Sequence, residues 1–168
     1  MNRHIIKLKK ATMRDLSLTW IGWLNDKEVN KFSKKKNKNH SYKSQKNYLK
    51  EILTDNTKLL FMLIYDNRKI GTLLISKISK VNKNCEISYL LGEKNLWNKG
   101  LGTKLINLVV QYIFKKMNLK KIYAGVRSDN ISSQKILKKN NFKLEANLKN
   151  HFFVNKKYFD YYIFSLTK

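Results

Sequence analysis

The sequence predicts an α+β fold, a mixed sheet with helices on both faces. Three observations carry this. Strand-like segments open the chain, crowd its middle and close it. Two amphipathic helical segments separate the first strand from the middle ones. Two more helical segments are interleaved with the later strands. The expected order is β–α–α–β–β–β–α–β–α–β–β, in one domain over residues 1–168.

Each element has its own signal. "HIIKLKK" (4–10) alternates and reads as the first strand. Thr12 caps an expected helix beginning "MRDLSLTWIGWL", with Leu16, Trp20, Trp23 and Leu24 as its apolar stripe. "NKFSKKKNKNHS" is polar and basic, hence a loop. A second helix is expected at about 43–54, with Tyr48, Leu49, Ile52 and Leu53 inward. "KLLFMLIY" (58–65), a turn at "DNRK" and "IGTLLISKI" (70–78) form a hairpin signal, and "CEISYLLG" (85–92) adds a third meander strand. A helix over 101–117 turns Leu105, Leu108, Val109, Tyr112 and Ile113 inward. "KKIYAGVR" (120–127) is a strand and "NISSQKILKKN" (130–140) a short helix. "FKLEANL" (142–148) and "KYFDYYIFSL" (157–166) close the sheet as an antiparallel pair.

Composition narrows the function classes. The chain has 168 residues and 42% hydrophobic content, enough for a real core. No apolar run approaches the roughly 18 residues that cross a bilayer. "MNRHIIKLKK" has no apolar stretch long enough for a secretory signal. A single cysteine, Cys85, excludes an intramolecular disulfide, so a cytoplasmic location is expected. His4, His40, His151 and Cys85 show no metal-ligand spacing, so no metal is expected. The net charge of +25 invites a nucleic-acid partner. Against that, only Arg3, Arg14, Arg68 and Arg127 are arginines among 36 basic residues. Phosphate and base readout favour the arginine fork. The lysines are also spread along the whole chain, as a compositional bias rather than a built patch.

The stretch "NLWNKGLGTKLINLVV" (95–110) places two of only 6 glycines one residue apart at a helix start. The first N–H groups of a helix lack intrahelical partners and, with the dipole, form an anion site. Glycine there lets a phosphate approach the backbone, and Lys99 and Lys104 add charge. A Walker A loop is excluded, because no Gly-Lys-Ser/Thr follows a four-residue gap. The dinucleotide fingerprint is excluded because Leu105 stands where its third glycine belongs. By itself Gly-x-Gly fits a phosphate loop and a tight strand-to-helix connection equally.

The wider pattern resembles the GCN5-related N-acetyltransferase (GNAT) superfamily. Its acyl-CoA loop, Gln/Arg-x-x-Gly-x-Gly/Ala, is similar to "WNKGLG", with Trp97 at the first position. Tryptophan there resembles the branch holding ribosomal-protein N-terminal and many amino-sugar acetyltransferases. "NISSQKILKKNNF" is similar to the family's Asn-x-x-Ser…Lys-x-Gly-Phe segment, with Asn130, Ser133 and Phe142 in place. Asn141 replaces the glycine and, like it, tolerates a left-handed backbone.

The resemblance implies acetyl-CoA as cosubstrate, bound where strands 85–92 and 120–127 splay apart in a mostly antiparallel sheet. The pantetheine arm is expected along Leu90 and Leu91, with Asn130 bonding it. The pyrophosphate is expected on the amides of Lys99, Gly100, Leu101, Gly102 and Thr103. The acceptor amine attacks the thioester directly. Glu86 is the expected base; the alternative is a carboxylate satisfied by lysines at the sheet surface. The family's usual acid is a tyrosine at the position of Leu137, so that acid is missing here. Ser133 can only donate a hydrogen bond to the sulfur, and Tyr158 and Tyr161 are further phenols. His40 lies in the basic loop where this family builds its acceptor pocket, as base, substrate contact or plain exposed histidine. Asn25, Asp26 and Tyr158 are expected at the acceptor, and Cys85 is expected as a packing residue.

The expected activity is acetyl transfer to a small-molecule primary amine, foremost that of an amino-sugar nucleotide, whose diphosphate suits the basic surface. A protein N-terminal amine is the alternative, and an aminoacyl-tRNA a third acceptor. The rival class is an inactive GNAT-fold protein or an RNA-binding protein. A monomer or homodimer is expected.

Overall fold

The computed structural model describes residues 5–33 and 38–168. One seven-stranded sheet runs in the order β1-β2-β3-β4-β5-β7-β6. Its strands are β1 (Ile6–Lys10), β2 (Leu59–Tyr65), β3 (Arg68–Ser79), β4 (Asn84–Leu91), β5 (Lys121–Arg127), β6 (Lys143–Val154) and β7 (Lys157–Thr167). All neighbours are antiparallel except β4 and β5.

The helices α1 (Leu18–Asn25) and α2 (Tyr42–Thr54) cover one face; α3 (Leu101–Lys116) and α4 (Ile131–Lys139) cover the other. This explains the unbroken apolar run of β2. Phe61 and Leu63 join the core under α3, and Leu60 and Met62 join the core under α1 and α2. A strand sandwiched between two helix layers alternates between faces without alternating in polarity.

Two expectations change. The first helix does not begin at Thr12. Residues Met13–Asp15 form one 3-10 turn, and α1 starts afresh with Ser17 as its cap, accepting from Trp20 N–H at 3.2 Å. The break follows from Asp15, whose buried carboxylate accepts from Lys9 Nζ at 2.7 Å and from Thr12 N–H at 2.9 Å, with Lys69 Nζ at 2.9 Å. That carboxylate ties the turn to β1 and β3. In α2, Leu53 is exposed, and Gln45 is buried instead.

Turn chemistry agrees with the sequence. Asp66 and Asn67, joining β2 to β3, both have positive φ, as do Asn155 and Lys156 between β6 and β7. Two such residues in a row match the right-handed twist of paired strands. Asn141 has φ 65° and ends α4 in the left-handed turn that its glycine substitution demands.

Candidate acetyl-transfer site

The parallel pair β4–β5 is short. Its register covers Asn84↔Lys121, Cys85↔Ile122 and Glu86↔Tyr123, then stops. Both strands continue, β4 to Leu91 and β5 to Arg127, so they diverge. Backbone groups of β4 beyond Glu86 that point away from β3 therefore face a gap. A continuous cleft of about 1450 Å³ runs through it, lined by Ser88, Leu90, Gly100, Ser133, Tyr161 and His40 among others.

On one side of the cleft sits the loop that opens α3. Gly100 is its N-cap, with φ 73°, a conformation that costs a side chain roughly 1–2 kcal/mol. A Cβ there would meet nothing within 4 Å, so Gly100 faces open space. Asn98 is also left-handed, at φ 60°. Gly100 offers no capping side chain and the first turn has no acidic residue, so its N–H groups keep their positive character. Gly102 has a different reason. A Cβ there would come within 2.7 Å of Ile136 Cδ1, so this glycine lets α3 pack against α4. Trp97 braces the loop: its indole N–H donates to the Leu91 carbonyl at 2.9 Å. Leu101 is buried in the core, Thr103, Lys135 and Lys139 line the cleft, and Lys99 is exposed just before the helix.

Asn130 caps α4. Its side-chain oxygen accepts from Ser133 N–H at 3.2 Å, which leaves its NH₂ as the group for the cleft. Ser133 Oγ lies 2.7 Å from the Tyr89 hydroxyl. Burial pushes the Tyr89 phenol up to about 12. Leu137 is fully buried in the core and does not line the cleft.

Glu86 faces the α1–α2 side of the sheet with Ser88 and Leu90. Its carboxylate pairs with Lys77 Nζ at 2.8 Å. Lys77 sits on an irregularity of β3 with φ 50°. Hydrogen bonding to Glu86 raises the Lys77 pKa, so the ammonium stays charged. Glu86 therefore lines the cleft and has a lysine partner. Cys85 is fully buried, its thiol pushed up to about 12 by burial, as suits a packing residue.

Further residues lining the cleft come from β5 and β7. Tyr161 reaches across β5, and a Cβ at Gly125 would fall 1.7 Å from its hydroxyl oxygen. Bareness at Gly125 is what admits the phenol to the cleft. Arg127 is buried and holds Asp129 through two bonds of 2.6 and 3.0 Å. Its guanidinium carbon lies 5.0 Å from the Phe32 ring centroid and 5.2 Å from that of Phe159. Only arginine combines the fork with the flat faces this sandwich needs. The signal was in the sequence: one of four arginines in a lysine-rich chain.

His40 lines the cleft, but Asn25 does not. The Asn25 amide grips the His40 backbone at both ends, at 2.8 Å each. Asp26 accepts from Glu28 N–H and Val29 N–H and pairs with Lys94 at 2.9 Å. Both residues therefore brace the loop that carries His40 from behind. Tyr158 is 63% exposed, stands against Phe153 at the hairpin tip and lies off the cleft.

The charge lining the His40 side of the cleft is uneven. Its carboxylates are Glu28, Glu51 and Glu86. Each has a lysine beside it: Lys94 at 3.1 Å, shared with Asp26, Lys58 at 3.6 Å, shared with Asp55, and Lys77 at 2.8 Å. Lys31, Lys38, Lys58 and Arg127 line the same region. Among the described residues no cluster of three His, Cys, Asp or Glu could hold a metal, and His4 lies outside them. No described helix is long and apolar enough to cross a membrane.

Comparison with known proteins agrees with this geometry. The sequence profile of the acetyltransferase (GNAT) domain matches residues 6–143. The chain is 34% identical over 99 residues to the N-acetyltransferase p20 of Bacillus licheniformis, covering 59% of this chain and 55% of p20. It is 29% identical over 141 residues to the acetyltransferase PseH of Campylobacter jejuni, covering 82% of this chain and 85% of PseH. Its fold matches the Vibrio cholerae spermidine N-acetyltransferase solved with CoA and spermine, with a TM-score of 0.87, 21% identity and coverage of 96% and 95%.

Proposed function

The chain belongs to the acetyltransferase (GNAT) domain family, and we propose that it transfers acetyl from acetyl-CoA to the primary amine of an amino-sugar nucleotide. Acetyl-CoA is the cosubstrate of that family, and the split between β4 and β5 fits its pantetheine arm. The diphosphate fits the uncapped start of α3, with Leu101, Gly102 and Thr103 donating. Asn130 NH₂ faces the arm, and Ser133 faces the sulfur.

In the reaction the amine nitrogen attacks the thioester carbonyl and the C–S bond breaks. An ammonium cannot attack, so a proton must leave first. Glu86 is the carboxylate nearest the split, and it takes that proton directly or through water. Lys77 Nζ, 2.8 Å from the Glu86 carboxylate, holds it in place beside the split. His40 contacts the acceptor from the loop side.

One observation carries the choice of acceptor: every carboxylate lining the cleft already has a lysine partner. A polyamine such as spermidine needs carboxylates with negative charge to spare. A nucleoside diphosphate instead gains from Lys31 and Lys38, which line the same cleft. The likeness to spermidine enzymes is one of fold and, at 29% identity over 104 residues to the Escherichia coli spermidine N(1)-acetyltransferase, also of sequence, so the preference for an anionic acceptor rests on the charge lining this cleft.

The test is a CoA-release screen across UDP-amino sugars, spermidine, spermine, peptides with free N-termini and aminoacyl-tRNA. The expected result is kcat/KM at least roughly a hundredfold higher for an amino-sugar nucleotide than for spermidine, the size of a two-charge preference in a partly desolvated site. Higher turnover of spermidine or of a peptide overturns the acceptor assignment. No CoA release with any amine overturns the enzyme reading.

A further inference from the structure

The leaving thiolate has no tyrosine on α4 to meet it, because Leu137 is buried in the core. A phenol nonetheless arrives from the other side of the gap. Tyr89 lies three residues past the last β4–β5 pair, with its side chain turned to the α3–α4 face. Its hydroxyl ends 2.7 Å from Ser133 Oγ, in the first turn of α4. Both residues line the cleft. The same α4 turn carries Asn130, so Tyr89 and Ser133 bridge the two walls between which the thioester must lie.

We infer that Tyr89 is a positioning residue for acetyl transfer: it donates its phenolic hydrogen to Ser133 Oγ and so directs the Ser133 hydrogen at the departing sulfur. A serine hydroxyl carries one hydrogen, and its lone pairs accept from others. With the Tyr89 hydrogen occupying a Ser133 lone pair, the serine hydrogen is turned toward the cleft. The bond from a phenol also polarises that hydroxyl and makes it a better donor.

The acidities decide how far the proton travels. A phenol at about 12 is a far weaker acid than a coenzyme thiol, roughly 8.5, so transfer from Tyr89 to the thiolate runs uphill. The pair therefore stabilises charge and does not act as a general acid. As the N–C bond forms and the C–S bond breaks, the electron pair moves onto sulfur. Ser133 holds it by a hydrogen bond, and the thiolate leaves and takes its proton from solvent. Tyr89 and Ser133 end as they began.

This inference rests on CoA binding in the cleft and not on which amine accepts. Its test therefore uses CoA alone. The thiolate of CoA bound to the protein is read by ultraviolet absorbance at a fixed, mildly alkaline pH, with desulfo-CoA as blank. Tyr89→Phe and Ser133→Ala are each expected to lower the bound thiolate-to-thiol ratio about tenfold, the effect of one charge-assisted hydrogen bond. The double variant is expected to fall no further, because Tyr89 acts through Ser133. With any amine that turns over, kcat falls by a similar factor while KM for acetyl-CoA stays within about twofold. An unchanged thiolate ratio in Tyr89→Phe, or losses that multiply in the double variant, overturns the inference. If Tyr89→Phe does not fold, a fluorotyrosine at position 89 keeps the shape and sharpens the donor. It is expected to raise the thiolate ratio, and a fall or no change overturns the inference equally.

Discussion

Replacing Gly100 with alanine tests the diphosphate loop directly. The structure separates two costs. Gly100 has φ 73°, so alanine pays about 1 kcal/mol of backbone strain, partly offset by a stiffer unfolded chain. No atom lies within 4 Å of the new methyl, so packing adds nothing. For a chain of 168 residues, that lowers the apo melting temperature by roughly 2–4 °C. The second cost appears only with ligand, because the methyl enters the open space where a diphosphate would approach the amides. Losing one charge-assisted hydrogen bond costs about 2 kcal/mol, or roughly thirtyfold in Kd. At a hundred times the parent Kd, acetyl-CoA stabilises the parent by about 2.7 kcal/mol, a rise of roughly 5–11 °C. At the same concentration the variant gains about 0.9 kcal/mol, a rise of roughly 2–4 °C. Differential scanning fluorimetry with and without acetyl-CoA reads both. A Gly100→Ala protein that keeps the full acetyl-CoA shift would refute the placement of the diphosphate.

Two further predictions follow from buried and paired carboxylates. Glu86→Gln keeps shape and removes basicity, so kcat is expected to fall about 10²–10⁴-fold with KM for acetyl-CoA unchanged; steady-state kinetics with parent-like turnover would remove Glu86 as base. Burial alone would raise the Asp15 carboxyl, but bonds from Lys9, Lys69 and Thr12 outweigh it and hold its pKa far below the ordinary range. Its stabilisation is therefore complete above the unfolded carboxyl pKa, about 3.9, and is lost as pH falls below that toward the folded value. Asp15→Asn is expected to cost about 2–3 kcal/mol near neutral pH in urea unfolding, and the gap from the parent is expected to narrow at about pH 3. A gap independent of pH would show that Asp15 acts by shape rather than charge.

Strand order, helix order and the chemistry of the loop were legible because each depends on neighbours in sequence. Alternation in β4 already separated Glu86, Ser88 and Leu90 from Cys85, Ile87, Tyr89 and Leu91. Asn141 announced its left-handed turn, and the glycines of "WNKGLG" announced the bare start of α3. Leu53 and the break after Asp15 were not legible. The first depends on which way α2 rolls against the sheet. The second depends on two lysines, Lys9 and Lys69, arriving from β1 and β3 at one carboxylate.

By itself the sequence carried the resemblance to the family, and with it the cosubstrate, because each motif of that resemblance lies within one short stretch. Only the tertiary structure decided what meets across the gap. It gave Gly102 to helix packing and Gly100 to the open side of the cleft. It paired Glu86 with Lys77 and Tyr89 with Ser133, 44 positions apart. It moved Tyr158 out to the hairpin tip and brought Tyr161 in over Gly125. Such pairings depend on where strands bulge and diverge and how helices cross them, which local spacing does not record.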